Sequence, residues 1–117
     1  MPQYMFLIFA DFEQGPERGT PEGDAQTQKW FTYTEDLRER GALVSGEALQ
    51  PPTTATTLAV RNGDRVVSDG PFADTKEWLG GYYVVEAPDL DAALDLAAGM
   101  PHIGYGSVEV RPVMTFE

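Results

Sequence analysis

The stretch QYMFLIFA, residues 3–10, decides the fold. It is filled with aromatic and branched residues and is too short for a typical helix, so it predicts a β-strand. Alternate side chains of a strand point to opposite faces, which places Met5, Leu7 and Phe9 on one side and Tyr4, Phe6, Ile8 and Ala10 on the other. Both sides are apolar, so both need a cover. In a small domain helices usually cover one side, and a partner subunit is the simplest cover for the second.

The size and charge of the chain narrow the classes of protein to which it can belong. Its 117 residues suit one domain spanning 1–117, and 42% hydrophobic against 23% charged residues are typical of a globular protein. The 8 Lys and Arg residues against 19 Asp and Glu residues give a net charge of -11. This acidity disfavours binding to nucleic acid or to an anionic membrane, so we expect neither as a partner.

Residue types that carry common cofactor chemistry are scarce. The chain has no cysteine and one histidine, His102, which excludes disulfides, thiolate catalysis and a His-rich metal site. His102 is expected to lie in a surface loop. No nucleotide-binding or HExxH motif is present, so no cofactor or metal is expected. The apolar run at the start is far shorter than the ~20 residues of a membrane span and lacks the Lys/Arg of a signal peptide, so the expected compartment is the cytoplasm.

The rest of the chain predicts two helices and five further strands. The predicted helices cover 24–40, with Asp24 as N-cap, and 89–99, and the predicted strands cover 42–49, 57–61, 65–68, 81–87 and 107–116. Trp30, Tyr33 or Thr34, and Leu37 form the apolar stripe of the first helix, and Leu90, Ala93, Leu94 and Ala97 form that of the second.

A hairpin interrupts an otherwise repeated order of elements. Asn62-Gly63 between two β-branched runs is a strong hairpin signal. Without this hairpin the order is βαβ–βαβ, the ferredoxin-like plan, in which two helices cover one face of an antiparallel sheet. We therefore predict an α+β, ferredoxin-like fold with an inserted hairpin.

Three motifs carry a resemblance to a known family. Residues 69–81 are DGPFADTKEWLGG and are followed by YYVVE, while SGEALQPP stands at 45–52 and GSVEVRP at 106–112. This series resembles the YCII-related, DGPF-domain family of small bacterial proteins over nearly the whole chain. The resemblance implies a ferredoxin-like fold that forms a homodimer through its sheet faces, a dimeric α+β barrel. That implication agrees with the two apolar sides of the first strand.

The resemblance leaves two functions open. Some members of the wider superfamily are enzymes that act on hydroxylated or chlorinated aromatic compounds and lactones. They imply cofactor-free acid–base chemistry (isomerisation, elimination or lactone turnover) on a small cyclic or aromatic acid. Others are encoded beside extracytoplasmic-function sigma factors, which implies a non-catalytic ligand-binding or regulatory module. Wider YCII proteins are thought to use a His–Asp pair, but this chain has no histidine before His102, so no early counterpart exists.

Three residues are candidates for catalysis, and each has a structural alternative. Asp69, at a strand end, is a candidate general base or a residue that orients one, or else it caps the following turn. Lys76 is a candidate anchor for an anionic substrate, with Glu77 as its partner or as a base, or else both residues belong to a solvated turn. Glu47 lies on a predicted strand and is a candidate if its side of the strand lines the barrel interior.

Four further residues are candidates for substrate binding. Glu109 and Arg111 share a face, and they form either a structural ion pair or a site in which the guanidinium holds a carboxylate. Tyr82 and Tyr83 point to opposite faces, so at most one enters a pocket; Tyr83 is the candidate for stacking on a ring, and core or dimer packing is the alternative. Phe72 is the fourth candidate for contact with the substrate, and its structural alternative is to pack beside the turn that follows Asp69.

Overall fold

The computed structural model describes residues 1–11, 13–72 and 76–116. Its strands are β1 (Gln3–Ala10), β2 (Leu43–Ala48), β3 (Thr56–Arg61), β4 (Asp64–Asp69), β5 (Trp78–Glu86) and β6 (Gly106–Pro112). Its helices are α1 (Pro21–Glu39) and α2 (Leu90–Ala98), and a short 3-10 turn spans Pro52–Thr54. This is the predicted order of elements, with β5 beginning at Trp78 instead of at residue 81.

The main sheet has four strands in the order β2-β5-β1-β6, and all three neighbouring pairs are antiparallel. The strand that decides the fold, β1, therefore lies in the middle. With two helices packed on the sheet, the chain is an α+β protein compatible with the ferredoxin-like plan. A β-bulge between Ile8 and Phe9 shifts the register of β1 against β5.

The two sides of β1 have different surroundings. Tyr4, Phe6, Ile8 and Ala10 are buried, with exposed fractions of 7%, 0%, 8% and 0%. The first three form one hydrophobic core with Leu37 of α1 and with Ala93 and Ala97 of α2. Both helices thus cover the same side of the sheet, as predicted. Met5, Leu7 and Phe9 point to the opposite side and are only half-buried.

The first helix begins earlier than the sequence suggested. Its N-cap is Thr20, whose hydroxyl accepts a hydrogen bond from the Gly23 amide at 3.1 Å, and Pro21 takes the first helical position. The prediction of Asp24 as N-cap was wrong, because the Thr-Pro pair supplies the start one turn earlier. At the other end Gly41 adopts φ +72°, the left-handed conformation that ends many helices.

The second helix packs through smaller residues than predicted. Asp89 caps it by accepting from the Ala92 amide at 2.8 Å. Its buried positions are Ala93 and Ala97. Leu90 and Leu94 remain 48% and 46% exposed, so their assignment to the buried stripe was wrong. Two alanines at the contact let the helix backbone lie close to the sheet.

The hairpin forms a separate two-stranded sheet of β3 and β4. Asn62 and Gly63 at its tip have φ of 52° and 83°, the pair of positive values that a type I′ turn requires, as their sequence predicted. Every residue from 61 to 69 is exposed. The radius of gyration, 16.2 Å, exceeds the ~13 Å expected of a compact chain of this length, in keeping with a projecting arm.

Candidate functional site

The candidate site is the side of the main sheet opposite the helices. We call it the open face, and it comprises Met5, Leu7 and Phe9 of β1, Tyr82 and Val84 of β5, Glu47 of β2, and Glu109 and Arg111 of β6. The register sets these residues in rows across the strands, because directly paired residues share a face. One row runs Glu47, Tyr82, Leu7, Glu109, and the next contains Val84, Met5 and Arg111.

The open face has an apolar middle and charged margins. Leu7 and Met5 are half-buried on the central strand, whereas Glu47 and Glu109 are exposed on the two edge strands. A solvated sheet face would alternate polar residues along its central strand as well. An apolar middle with a polar rim is the anatomy of a surface that another molecule covers.

The pair of Glu109 and Arg111 leaves the guanidinium largely free to bind a ligand. Arg111 Nε lies 3.8 Å from Glu109 Oε2, and the two side chains are 70% and 55% exposed. A long, solvated ion pair of this kind contributes ~0–1 kcal/mol to stability. Most donors of the guanidinium fork therefore remain available for a carboxylate on a ligand.

Tyr83 lies on the helix-covered side of the sheet. Its hydroxyl is 2.6 Å from the Thr34 hydroxyl of α1, and its ring stacks with Trp30 at 6.4 Å between centroids. Tyr83 thus takes the packing alternative left open by its sequence. Tyr82, which pairs directly with Leu7, is the tyrosine on the open face.

The DGPF segment lies at the base of the hairpin and contributes no residue to the rows of the open face. Asp69 ends β4 and is exposed, and Gly70 adopts φ +98°, which favours glycine. The Gly70 amide donates to the Ala55 carbonyl at 2.8 Å, and Thr57 Oγ1 donates to the Gly70 carbonyl at 2.8 Å. These two bonds close the base of the hairpin.

Phe72 and Lys76, the described residues on either side of positions 73–75, have exposed side chains. Phe72 is 84% exposed, so the packing alternative does not hold in the single chain. Lys76 is exposed as well. Thr75, which belongs to the TKE motif, lies outside the described residues.

His102 is a buried histidine beside the start of β6, and its burial was not predicted from the sequence. His102 is 1% exposed, so its expected surface position was wrong. Its Nε2 lies 2.9 Å from the Ser107 carbonyl and must donate, because a carbonyl oxygen only accepts. Its Nδ1 is then an acceptor, and it has no hydrogen-bond partner among the described residues. Burial lowers the pKa of His102 below its usual 6.5, and the Ser107 hydrogen bond and the Glu77 charge oppose this effect.

Three neighbours hold His102 and its loop in position. Its ring stacks with Trp30 at 5.3 Å. A Cβ on Gly106 would lie 2.7 Å from His102 Cδ2, so only glycine fits there without displacement. Ser107 Oγ donates to Glu77 Oε1 at 3.0 Å, which links the start of β6 to the start of β5. The sequence signal for this arrangement is Gly106, the first residue of β6.

The aromatic cluster on the helix side is structural. Its members are Trp30, Tyr33, Tyr83, His102 and Tyr105. Tyr33 donates to the Leu96 carbonyl at 2.6 Å, and burial, together with the nearby Tyr83 and Asp36, raises its pKa far above 10.0. Gln26 Nε2 contacts both the Pro101 carbonyl and the Tyr105 hydroxyl at 3.0 Å. The cluster packs α1 against β5 and against the loop that precedes β6.

One concave surface of the chain lies outside the open face. A shallow cavity of about 400 Å³ opens between the end of α1, the end of β5 and α2, where Arg40, Glu86 and Asp95 line it. It contains none of the predicted site residues. Among residues 1–11, 13–72 and 76–116, no group of three or more His, Asp or Glu could hold a metal ion. In the same ranges, no helix combines the length and the apolar character that crossing a membrane requires.

Comparison with known proteins agrees with the resemblance carried by the DGPF motif. The YCII-related domain family matches residues 4–117. An uncharacterised protein of Rhizobium meliloti (strain 1021) is 42% identical over 81 residues, which are 68% of this chain and 65% of that protein. The match thus spans just under two thirds of the relative's length. The chain belongs to the YCII-related domain family.

Proposed function

We propose that two copies of this YCII-related protein pair through their open faces and bind a small cyclic or aromatic acid in the cleft between them. The observation that carries the proposal is the composition of the open face, with Leu7 and Met5 in the middle and Glu47, Tyr82 and Arg111 around them. An apolar surface with a few polar groups is typical of a small-molecule site. A second copy supplies the other wall of the cleft.

Each of three residues has a role in this cleft. Arg111 binds the carboxylate of the ligand through its fork of donors. Tyr82 packs against the ring. Glu47, which pairs directly with Tyr82 across the strands, is the candidate base among the residues of the open face.

The chemistry that fits these groups is proton transfer without a cofactor. In an isomerisation, the Glu47 carboxylate removes a proton from a carbon next to the carboxylate or lactone carbonyl of the ligand. The electron pair moves into that carbonyl, and the protonated Glu47 returns the proton to a second carbon, so no other reactant is consumed. Elimination and lactone turnover begin with the same base.

Asp69 and Lys76 retain the roles proposed from the sequence only if another part of the assembly brings them to the cleft. Both are exposed and lie at or beyond the base of the hairpin. In one subunit the rows of the open face contain neither residue.

A thermal-shift screen against small aromatic acids, lactones and amino acids tests the binding site. A ligand at ~100 times its dissociation constant adds about 2.7 kcal/mol of stability and moves the melting temperature by several degrees. Arg111→Gln should abolish the shift produced by any acid. Arg38→Gln is the matched control, since Arg38 is also exposed and ion-paired to a nearby glutamate but lies on α1. Equal shifts in the two variants would contradict the role of Arg111.

Glu47→Gln separates catalysis from binding alone. If Glu47 is the base, the variant binds the acid and loses turnover. A ligand-responsive regulatory module, such as one that works with a sigma factor, needs binding but no proton transfer. Binding by the wild-type protein with no turnover of any bound acid would therefore favour that alternative.

A further inference from the structure

The hairpin β3–β4 exposes an apolar surface that its own chain leaves uncovered. Leu58 pairs directly with Val67, and Val60 follows two residues after Leu58, so these three side chains share one face. We call this the outer face of the hairpin. Its three apolar side chains are 56%, 61% and 58% exposed. An isolated two-stranded hairpin is at best marginally stable in water, so it needs a cover.

The opposite face of the hairpin is smaller and better covered. It carries Thr57, Ala59 and Val66, of which Thr57 and Ala59 are half-buried and Val66 is 43% exposed. The need for a cover is therefore concentrated on the outer face. Val66 and Val67 are neighbours on β4 whose side chains point to opposite faces of the hairpin. The same substitution at each position therefore compares the two faces.

Charge favours this hairpin as a contact between two copies of so acidic a chain. Residues 56–69 contain two arginines and two aspartates and are neutral, which leaves 6 basic and 17 acidic residues in the rest of the chain. Two bodies of net charge -11 repel each other, so a stable contact uses neutral surface. Arg61 and Arg65 near the tip can in addition approach carboxylates of another copy.

The open face alone is small for a stable dimer. Four strands of about seven residues cover ~450 Å² in plan at ~4.8 Å between strands and ~3.4 Å per residue. A standard interface buries ~800 Å² on each partner. The hairpin adds ~200 Å² in plan by the same dimensions, and it leaves the sheet at the end where β2 finishes and β5 begins.

We propose that the outer face of each hairpin packs against a second copy of this chain and closes one end of the cleft between the paired open faces. The proposal rests on the pairing described under Proposed function. It gives the exposed Phe72 and Asp69, at the base of the hairpin, a place beside the cleft of the assembled dimer. The site is then incomplete without the partner's hairpin.

Two lysine variants test the contact by analytical ultracentrifugation. Val67→Lys, on the outer face, should raise the dimer dissociation constant at least about tenfold, which corresponds to about 1.4 kcal/mol. Val66→Lys, one residue earlier on the opposite face, is the matched control and should change it little. Equal effects of the two variants, or no effect of either, would overturn the proposal.

A photo-crosslinker provides a readout that does not depend on how the lysine variants fold. Benzophenone-alanine at position 67, in unlabelled chain mixed with ¹⁵N-labelled wild-type chain, should yield crosslinks between an unlabelled and a labelled peptide, and position 66 should not. Crosslinks confined to one chain in a sample that is dimeric would overturn the hairpin contact and leave the pairing of open faces intact. A sample that is monomeric throughout would overturn both.

Discussion

The two sides of β1 are equally apolar along the strand but meet different surroundings across it. On the helix side, Phe6 is fully buried, and the neighbouring edge strand contributes Val108 and Val110 to the same core. On the open side, Leu7 is half-buried, and the same edge strand contributes Glu109 and Arg111. The comparison teaches that the edge strands, and not the central strand, distinguish the buried side of the sheet from the partly exposed side.

The largest expected difference between the two sides is in the stability of the subunit. Phe6→Ala should lower the free energy of unfolding by ~3–5 kcal/mol, because it leaves a cavity in the core. Leu7→Ala should lower the stability of the separated subunit much less. Urea unfolding at low protein concentration measures both, and equal losses would remove the distinction between the two sides.

Acidification should weaken the helix side through His102. The lowered pKa means that the unfolded chain binds a proton more readily than the folded one, so the protein loses stability as the pH falls below 6.5 towards the folded pKa. Protonation turns His102 Nδ1 into a buried N–H donor that has no partner among the described residues, which costs ~1–3 kcal/mol. Urea unfolding at about pH 7.5 and about pH 5.5 should show this loss in the wild type.

His102→Phe is the control for that loss, because phenylalanine keeps a ring of similar size and cannot titrate. The variant should be less stable at neutral pH, since the Ser107 carbonyl loses its donor. It should nevertheless show a smaller drop between the two pH values. The same drop in wild type and variant would assign the pH dependence to the carboxylates of the chain instead.

Loss of the hydroxyl contact between α1 and β5 should have a moderate effect on stability. Thr34→Val removes, at nearly constant volume, a hydroxyl that donates to the Trp30 carbonyl at 2.9 Å and lies 2.6 Å from the Tyr83 hydroxyl. Each hydrogen bond contributes ~1 kcal/mol, so the unfolding free energy should fall by ~1–2 kcal/mol. Thr32→Val, at an exposed position of the same helix, is the control and should change it little.

The smallest effect on stability is expected at the rim of the open face. Glu109→Gln removes the exposed ion pair with Arg111 and should change the unfolding free energy by ~0–1 kcal/mol. Binding of an acidic ligand should become tighter, because the neighbouring negative charge is gone. Isothermal titration with an acid identified in the thermal-shift screen measures this, and weaker binding would argue against Arg111 as the anion site.

Most of the fold could be predicted from local patterns in the sequence. A few neighbouring residues carry each of these signals by themselves. They are the aromatic and branched residues of β1, the Asn62-Gly63 turn and Gly41 just after α1. One error came where two local signals compete. Thr20-Pro21 and Asp24 are both helix starts, and only the backbone of the preceding loop decides between them.

The site was less predictable, because it depends on contacts between residues distant in the chain. His102 is buried by Trp30, which lies 72 positions earlier, and no local pattern reports such a contact. The opposite directions of Tyr82 and Tyr83 were predictable, but which of them faces the helices depends on register. Glu47 and Arg111 meet on one face only through the pairing of four strands.

The claim that the open face is an interface is tested most directly by the mass of the protein in solution. Sedimentation equilibrium at micromolar concentration should give twice the chain mass of 12.8 kDa for the wild type. Leu7→Lys should give the single chain mass with unchanged far-UV circular dichroism, because a lysine in the middle of the paired faces would bury an unpaired charge. A wild-type monomer, or a Leu7→Lys variant that remains as firmly dimeric as the wild type, would contradict the account.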